Sequence, residues 1–449
     1  MDKLKNIYAL LIFIIVIPNS KAQTNNSEST AFTNITLIDV ENSKSLENMT
    51  IIISDDKITS VFPSNSQQIP TSAEIVDMAN HYIIPGLIDG HVHLFANQNR
   101  TADLEKLLFS GVTSLRDMGG DVRVYQELNQ KIANGSIKSP NIYYSATFFG
   151  PEFLVDPRTK FANKGINAGE APWMRVVHDS TNLKEVISEA KEFGVTGIKA
   201  YASISPDLLK VISEEAHRQG LKVWSHAAIF PSKPSDAVNA KVDAISHGVG
   251  MIVEQAETVP NSFHNAVRNF IPVQDFENAD VLSQDYVDLL QSMKAEGTIF
   301  EPTISAWKKV QSKNQDGKMN ENKISPKSNM PPAIKLNIPA MNKWVNNITN
   351  AAYLNGVTIS AGTDFTRTIK WVQDEIRFLV ESGLTEIDAI KAATLNNAIV
   401  IGIEKTHGSI SVGKQADFVI LTENPLENIE NLRSVKTVYK NGKRYSVEE

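Results

Sequence analysis

His91 and His93 close an apolar run, Ile83-Ile84-Pro85-Gly86-Leu87-Ile88-Asp89-Gly90-His91-Val92-His93-Leu94, and their types and spacing suit a metal site. Alternate side chains of a strand share one face, so the two imidazoles lie about 7 Å apart along the chain and can converge on one divalent cation. Neutral imidazole is the commonest protein ligand for zinc and suits other late transition metals. Taken alone, such a pair is more often satisfied by ordinary hydrogen bonds. Four later runs change that balance, because each places a metal-competent residue in or after a short apolar stretch: Val195–Tyr201 with Lys199, Leu221–Ala227 with His226, Ala244–Gly248 with His247, and Thr358–Asp364. Strands that end in such residues, with helical sequence between them, are what a parallel barrel with its site at the C-terminal mouth produces.

At these residues the chain resembles the amidohydrolase superfamily, in its branch of imidazolonepropionase-like enzymes and metal-dependent Xaa-Pro dipeptidases. The resemblance rests on Pro-Gly-Leu-Ile-Asp-Gly-His-Val-His at 85–93, Gly-Val-Thr-Ser-Leu-Arg-Asp-Met-Gly at 111–119, Ile-Lys at 198–199, Ser-His-Ala at 225–227, Ser-His-Gly at 246–248, Glu-Pro-Thr at 301–303, Ala-Gly-Thr-Asp at 361–364 and the stretch 408–419. It implies that His91, His93 and Asp364 hold one metal, that His226 and His247 hold a second, and that Lys199, as a carbamate formed with CO2, bridges them. Two zinc ions are the cofactors this set implies. A free ammonium has no lone pair, whereas a carbamate offers two anionic oxygens. Carbamate formation needs a neutral amine, which burial near cations favours. Lys199 as a rim cation paired with a carboxylate is the alternative.

Such a centre hydrolyses an amide or related carbonyl–nitrogen bond with a metal-activated water, Asp364 passing the proton to the leaving nitrogen. No Gly-x-Ser-x-Gly elbow appears, and no covalent intermediate is required. Tyr201, two residues beyond Lys199, shares its face and is a substrate-binding candidate or a packing aromatic. Arg116 and His178 are further substrate candidates, with an internal Arg116–Asp117 pair as the competing reading. Arg158, Arg175 and Arg367 are weaker ones, and His81, His217, His264 and His407 read as surface or interdomain histidines. Relatives commonly carry a Gly-Gly-His motif after the third strand, but this chain reads Ser145-Ala146-Thr147-Phe148-Phe149-Gly150-Pro151-Glu152. The pocket wall therefore differs, and hydrolysis transfers while a proline-dipeptide substrate does not. A mononuclear deaminase-like or ring-opening hydrolase is the enzyme alternative, and a non-catalytic binding protein on the same fold is the reading from another class.

The elements that must position these residues follow. Strand candidates at 83–94, 111–117, 141–148, 195–202, 221–227, 244–248, 298–305 and 357–364, with amphipathic segments such as Leu183–Lys191 and Leu208–Arg218 between them, make an α/β TIM (β/α)8 barrel over 82–404. The connections 249–297 and 306–356 are overlong for turns and read as walls or lids over the mouth, with a polar stretch from Ser312 to Pro332. Strand-rich ends, 31–81 and 405–449, with turns near Asp55-Asp56-Lys57 and at Lys440-Asn441-Gly442-Lys443, imply a small β-sandwich domain built from both chain ends.

Composition sets the remaining bounds. The 449 residues are 42% hydrophobic, enough for a large core, and carry a net charge of −7 without a basic stripe. Nucleic acid and anionic membrane are therefore poor partners, leaving a small-molecule amide or peptide substrate and, as an open matter, a homo-oligomer. With no cysteine, disulfides and thiolate ligands are excluded. Lys3 and Lys5, the apolar run Ile7–Ile17, Pro18 and Ser20-Lys21-Ala22 read as a signal peptide over 1–22, cleaved before Gln23. The run is short of the ~20 apolar residues of a span, so the mature protein is expected to be periplasmic or secreted without membrane insertion.

Overall fold

The computed structural model describes residues 29–94, 100–261, 270–271, 274–308, 337–366 and 369–446. The leader 1–22, Arg367, His264 and the Ser312–Pro332 stretch lie outside them. Two sheets organise the chain. The first gathers both ends: β1 (Ser29–Asp39), β2 (Lys44–Ser54), β3 (Lys57–Pro63), β4 (Glu74–Asp77) and β5 (Tyr82–Pro85) join β15 (Phe418–Leu421), β16 (Val435–Lys440) and β17 (Lys443–Tyr445) in the order β17-β16-β15-β5-β1-β2-β3. β4 pairs alongside the first half of β1. The hairpins turn where the sequence places them, with Ser54 opposite Lys57 and Lys440 opposite Lys443.

Asp55, Asn441 and Gly442 take positive φ of 54°, 49° and 72°, the left-handed conformations that tight two-residue hairpins require. At Gly442 a Cβ would come within 1.8 Å of the Asp55 carbonyl, so the N-terminal and C-terminal turns touch. Phe32, Phe418 and Tyr439 pack together beneath them with ring centroids 4.7–5.4 Å apart. Each such ring contributes on the order of 2 kcal/mol by leaving water.

The second sheet is the barrel. β6 (Leu87–Val92), β7 (Val112–Asp117), β8 (Asn141–Phe149), β11 (Gly197–Ala202), β12 (Lys222–His226), β13 (Ala244–Ser246) and β14 (Ile299–Glu301) run parallel in that spatial order, and the short β9 (Glu170–Ala171) and β10 (Met174–Val176) attach beside β8. Helices cover the outside: Arg100–Phe109, Val122–Ala133, Leu183–Glu192, Pro206–Arg218, Pro234–Asn239, Gln284–Glu296, Ile338–Leu354 and Val372–Glu381. Their apolar stripes face the strands, as in Leu208, Leu209, Ile212 and Ala216, and Ser205 starts that helix by accepting the Leu208 N–H at 3.3 Å.

Two expectations change in detail. The run 83–94 is two strands: β5 belongs to the first sheet and β6 to the barrel, divided at Gly86, where a Cβ would collide with Thr113 at 2.3 Å. The last barrel segment, 357–364, is not a regular strand. It closes the ring through Phe300 N to Thr358 O, Gly90 N to Ala361 O, Asp364 N to His91 O and His93 N to Phe365 O, at 2.8–2.9 Å. Asp364 departs from extended geometry at φ 49°. Side chains complete the closure, since Asn397 donates to both Ile88 O and Ala361 O at 2.7 Å. Of the long connections, Gly248–Gln255 forms a 3-10 helix held by Trp344, whose indole donates to Gly248 O at 3.0 Å.

Candidate metal centre

Strand alternation places His91 and His93 over the barrel mouth, and the backbone bond from Asp364 N to His91 O sets the acid beside them. His93 Nε2 lies 3.3 Å and His91 Nε2 3.8 Å from Asp364 Oδ1. One ligand atom from each of the three falls within 4.8 Å of the others. Ligands about 2.1 Å from a tetrahedral ion stand roughly 3.4 Å apart, so small adjustments close this set on a cation. His91 Nε2 is buried and has no hydrogen-bond partner among the described residues, an orphaned lone-pair donor that a metal would satisfy.

The second imidazole pair adjoins the first. The His247 ring lies 4.9 Å from that of His91 and 4.4 Å from that of His226. Lys199 is buried and lines the same cavity as His226 and His247, its ammonium 4.9 Å from the centre of the Tyr201 ring. Burial, then the nearby Lys199 charge, holds His91 well below its ordinary range. Burial does the same for His226 and lowers His247 to about 4. Burial, with Arg158 and Arg116 adding to it and Asp364 opposing, brings Lys199 down to about 7. Burial acts to raise Asp364, but the His93 hydrogen bond and the surrounding imidazoles outweigh it and keep the carboxylate ionised. Neutral imidazoles, an ionised carboxylate and an amine that readily loses its proton fit divalent cations.

Outside these groups, Glu301 at the end of β14 organises the floor. It is fully buried, lies 2.6 Å from His91 Nδ1, and accepts from Ser246 Oγ at 2.9 Å and Arg116 Nη2 at 2.6 Å. Fixing Nδ1 leaves Nε2 to face a metal. Asp89 accepts from Thr363 N, Thr363 Oγ1 and His91 N at 2.7–3.2 Å, tying the histidine strand to the Asp364 turn. On the other side, Thr303 Oγ1 lies 2.9 Å from His247 Nδ1. None of the three has a ligand role in the sequence reading. The legible signal was the acidic end of the Ile299-Phe300-Glu301 run.

Beside these candidate ligands opens a cavity of about 240 Å³, with Met118, Phe153, Ala162 and Met174 as apolar wall and Thr147, Arg158, Tyr201 and Thr366 as polar wall. Tyr201 thus reaches the site, and its hydroxyl accepts from Arg158, which is itself clamped by Asp156 at 2.8 and 2.9 Å. Arg158 occupies the wall more firmly than its sequence position suggested.

Two substrate candidates are corrected. Arg116 is 0% exposed and lies under the site, over the Trp224 ring, donating to Gly90 O and pairing with Glu301 rather than Asp117. His178 is exposed, beside Ser180, and does not line the cavity. Arg175 is drawn away by Glu189.

The amidohydrolase family model matches residues 82–445. Ochratoxinase from Aspergillus niger is 24% identical to this chain, covering 89% of it and 83% of that enzyme. A crystal structure of A. niger ochratoxinase superposes with a TM-score of 0.68 over 93% of this chain and 96% of that one, at 22% identity. A Xaa-Pro dipeptidase with methionine in its active site superposes with a TM-score of 0.69, at 22% identity, over 94% of this chain and all of that one (100%). Imidazolonepropionase from Thermoplasma volcanium is 20% identical over 88% of this chain and 90% of its own length. Both enzymes that define the expected branch are thus among the relatives, and the structural likenesses establish the shared fold.

Proposed function

Since the chain belongs to the amidohydrolase family, we propose that it is an exported, metal-dependent hydrolase that cleaves a non-aromatic carbon–nitrogen bond in a small amide, dipeptide or cyclic amide. The observation that carries this is the convergence of His91, His93, Lys199, His226, His247 and Asp364 around one cavity. His91, His93 and Asp364 would hold one divalent ion and His226 and His247 another, zinc being the best match to imidazole and carboxylate donors, with Lys199 as carbamate between them. Bound there, such ions polarise the scissile carbonyl and acidify the attacking water.

The chain's own residues do the rest. Asp364 takes up the proton released as water oxygen bonds to the carbonyl carbon, and returns it to the nitrogen as the C–N bond breaks. Tyr201 and Arg158 supply hydrogen bonds that orient a carbonyl or carboxylate of the substrate. Phe153, Met118 and Met174 exclude water from the remainder.

The test is zinc-reconstituted protein against a panel of N-acyl amino acids, dipeptides and cyclic amides, with chelated protein as control. Release of an amine or amino acid is expected, and chelator should abolish it. Release of ammonia in its place would favour a deaminase, and equal activity in metal-free protein would reject the proposal. Export is tested by mass spectrometry of protein from its own host: a retained Met1–Ala22 segment counts against it.

A further inference from the structure

Helix Val372–Glu381 carries a fully buried carboxylate, Glu375, that lies outside the cavity lining. Its two oxygens accept the Ile304 and Ser305 amides, both at 2.7 Å. Those amides open the helical turn that begins at Ile304, which makes Thr303, at φ 49°, the residue at the capping position. From an extended backbone, a threonine there accepts the second of these amides, that of Ser305, with its own hydroxyl; the left-handed Thr303 does not. Here Glu375 takes over that duty, and Thr303 Oγ1 turns to His247 Nδ1 at 2.9 Å. The same turn reaches the other side of the centre, since Ser305 Oγ donates to the Thr363 carbonyl, beside Asp364, at 3.3 Å.

We propose that Glu375 is a positioning residue for His247: by capping the 304–305 amides from outside, it keeps the Thr303 hydroxyl free to accept from His247 Nδ1 and so leaves Nε2 facing the cavity. The consequence for metal retention rests on the ligand reading of His247 given above; the consequence for the histidine's tautomer does not. Lys308, which pairs with Glu381 and lies 4.1 Å from the Phe378 ring centroid, tethers the same turn to the same helix. Replacing Glu375 therefore need not undock the segment.

The experiment uses metal-free protein with 15N-labelled histidine and reads the His247 tautomer by NMR in wild type, Glu375→Gln, Thr303→Val and Thr303→Ser. Wild type and Thr303→Ser should show the Nδ1–H form, and Glu375→Gln and Thr303→Val should shift it towards Nε2–H. In zinc-loaded protein the two shifted variants should lose the more weakly held ion to a chelator about tenfold more readily, the low end of what losing an outer partner of a ligand histidine causes. The double variant should be no worse than either single one. A Glu375→Gln protein with a lowered Tm but wild-type His247 signals would overturn the inference. So would an unchanged tautomer in Thr303→Val, which decides the matter if Glu375→Gln fails to fold. If wild type binds no zinc while the tautomer shifts are as expected, the metal reading fails and the positioning role stands.

Discussion

Glu301 touches three groups that have to stay in register, the His91 imidazole, the Ser246 hydroxyl and the Arg116 guanidinium. Arg116 and Glu301 are both fully buried, so removing either charge leaves the other uncompensated at a cost of about 3–5 kcal/mol. Glu301→Gln keeps the shape but weakens its hold on His91 Nδ1, and should lower metal affinity roughly 10–100-fold. Zinc retention against a graded chelator measures this. Wild-type retention in Glu301→Gln would mean that His91 is not a ligand. Lys199 gives a separate prediction at the same scale. Lys199→Ala should lose much of the second ion, with turnover partly restored by a short-chain carboxylic acid that replaces the missing oxygens. If Lys199 acts only on substrate, metal content stays unchanged and the loss appears as a raised KM with kcat nearly preserved.

The strand ends do the positioning, and the contact between β6 and the last barrel segment does most of it. A Cβ on Gly90 would meet Asn397 Oδ1 at 2.6 Å, the Ala361 carbonyl at 2.8 Å and Glu301 Oε2 at 2.9 Å. Gly90→Ala should therefore push β6 away from the segment that delivers Asp364, losing metal and at least ~2 kcal/mol of stability by overpacking. Zinc content and urea unfolding check both effects, and a stable, zinc-replete Gly90→Ala protein would show that the ring is looser than described.

The same elements show what was legible in the chain. β6, β7, β11, β12, β13 and β14 were readable because short apolar runs carry polar residues in or at the end of them, whereas β8, which ends in Phe148-Phe149, showed only as an apolar run. The segment 357–364 showed its candidate ligand, but not its irregular backbone, because Asp364 takes a left-handed conformation that composition does not reveal. The Glu301 and Glu375 contacts were not readable, since each acts across more than fifty residues of sequence on a partner that only closure of the barrel supplies. Arg116 misled because its motif neighbour is Asp117, while its partner in space is Glu301.

At the scale of the whole molecule, the two-ended sheet meets the barrel where His407 is buried between Thr406, Tyr143 and Asp417, with Asp417 Oδ2 3.7 Å from its Nε2. Burial, followed by repulsion from Lys57, Lys440 and Lys414, lowers His407 from 6.5 to about 4. Well above pH 6.5 the ring is neutral whether the chain is folded or not, and it adds nothing to the pH dependence of stability. Between pH 6.5 and about 4 the unfolded chain binds a proton that the folded junction refuses, so stability falls with acidification, by up to ~1.4 kcal/mol for each pH unit. Asp417 acts in the opposite sense. Its burial raises it from 3.8 to about 6, so the folded protein takes up that proton first and gains stability as the pH drops through 6. In wild type the two slopes partly cancel below pH 6, which makes total acid stability uninformative about either. His407→Gln separates them: it keeps a polar side chain at the junction, removes the titrating ring and leaves Asp417 in place. Unfolding free energies of this variant should fall less than those of wild type between pH 7 and pH 5. Parallel curves for the two proteins would mean that His407 is hydrated in the native state, and that the junction between sheet and barrel is open to water.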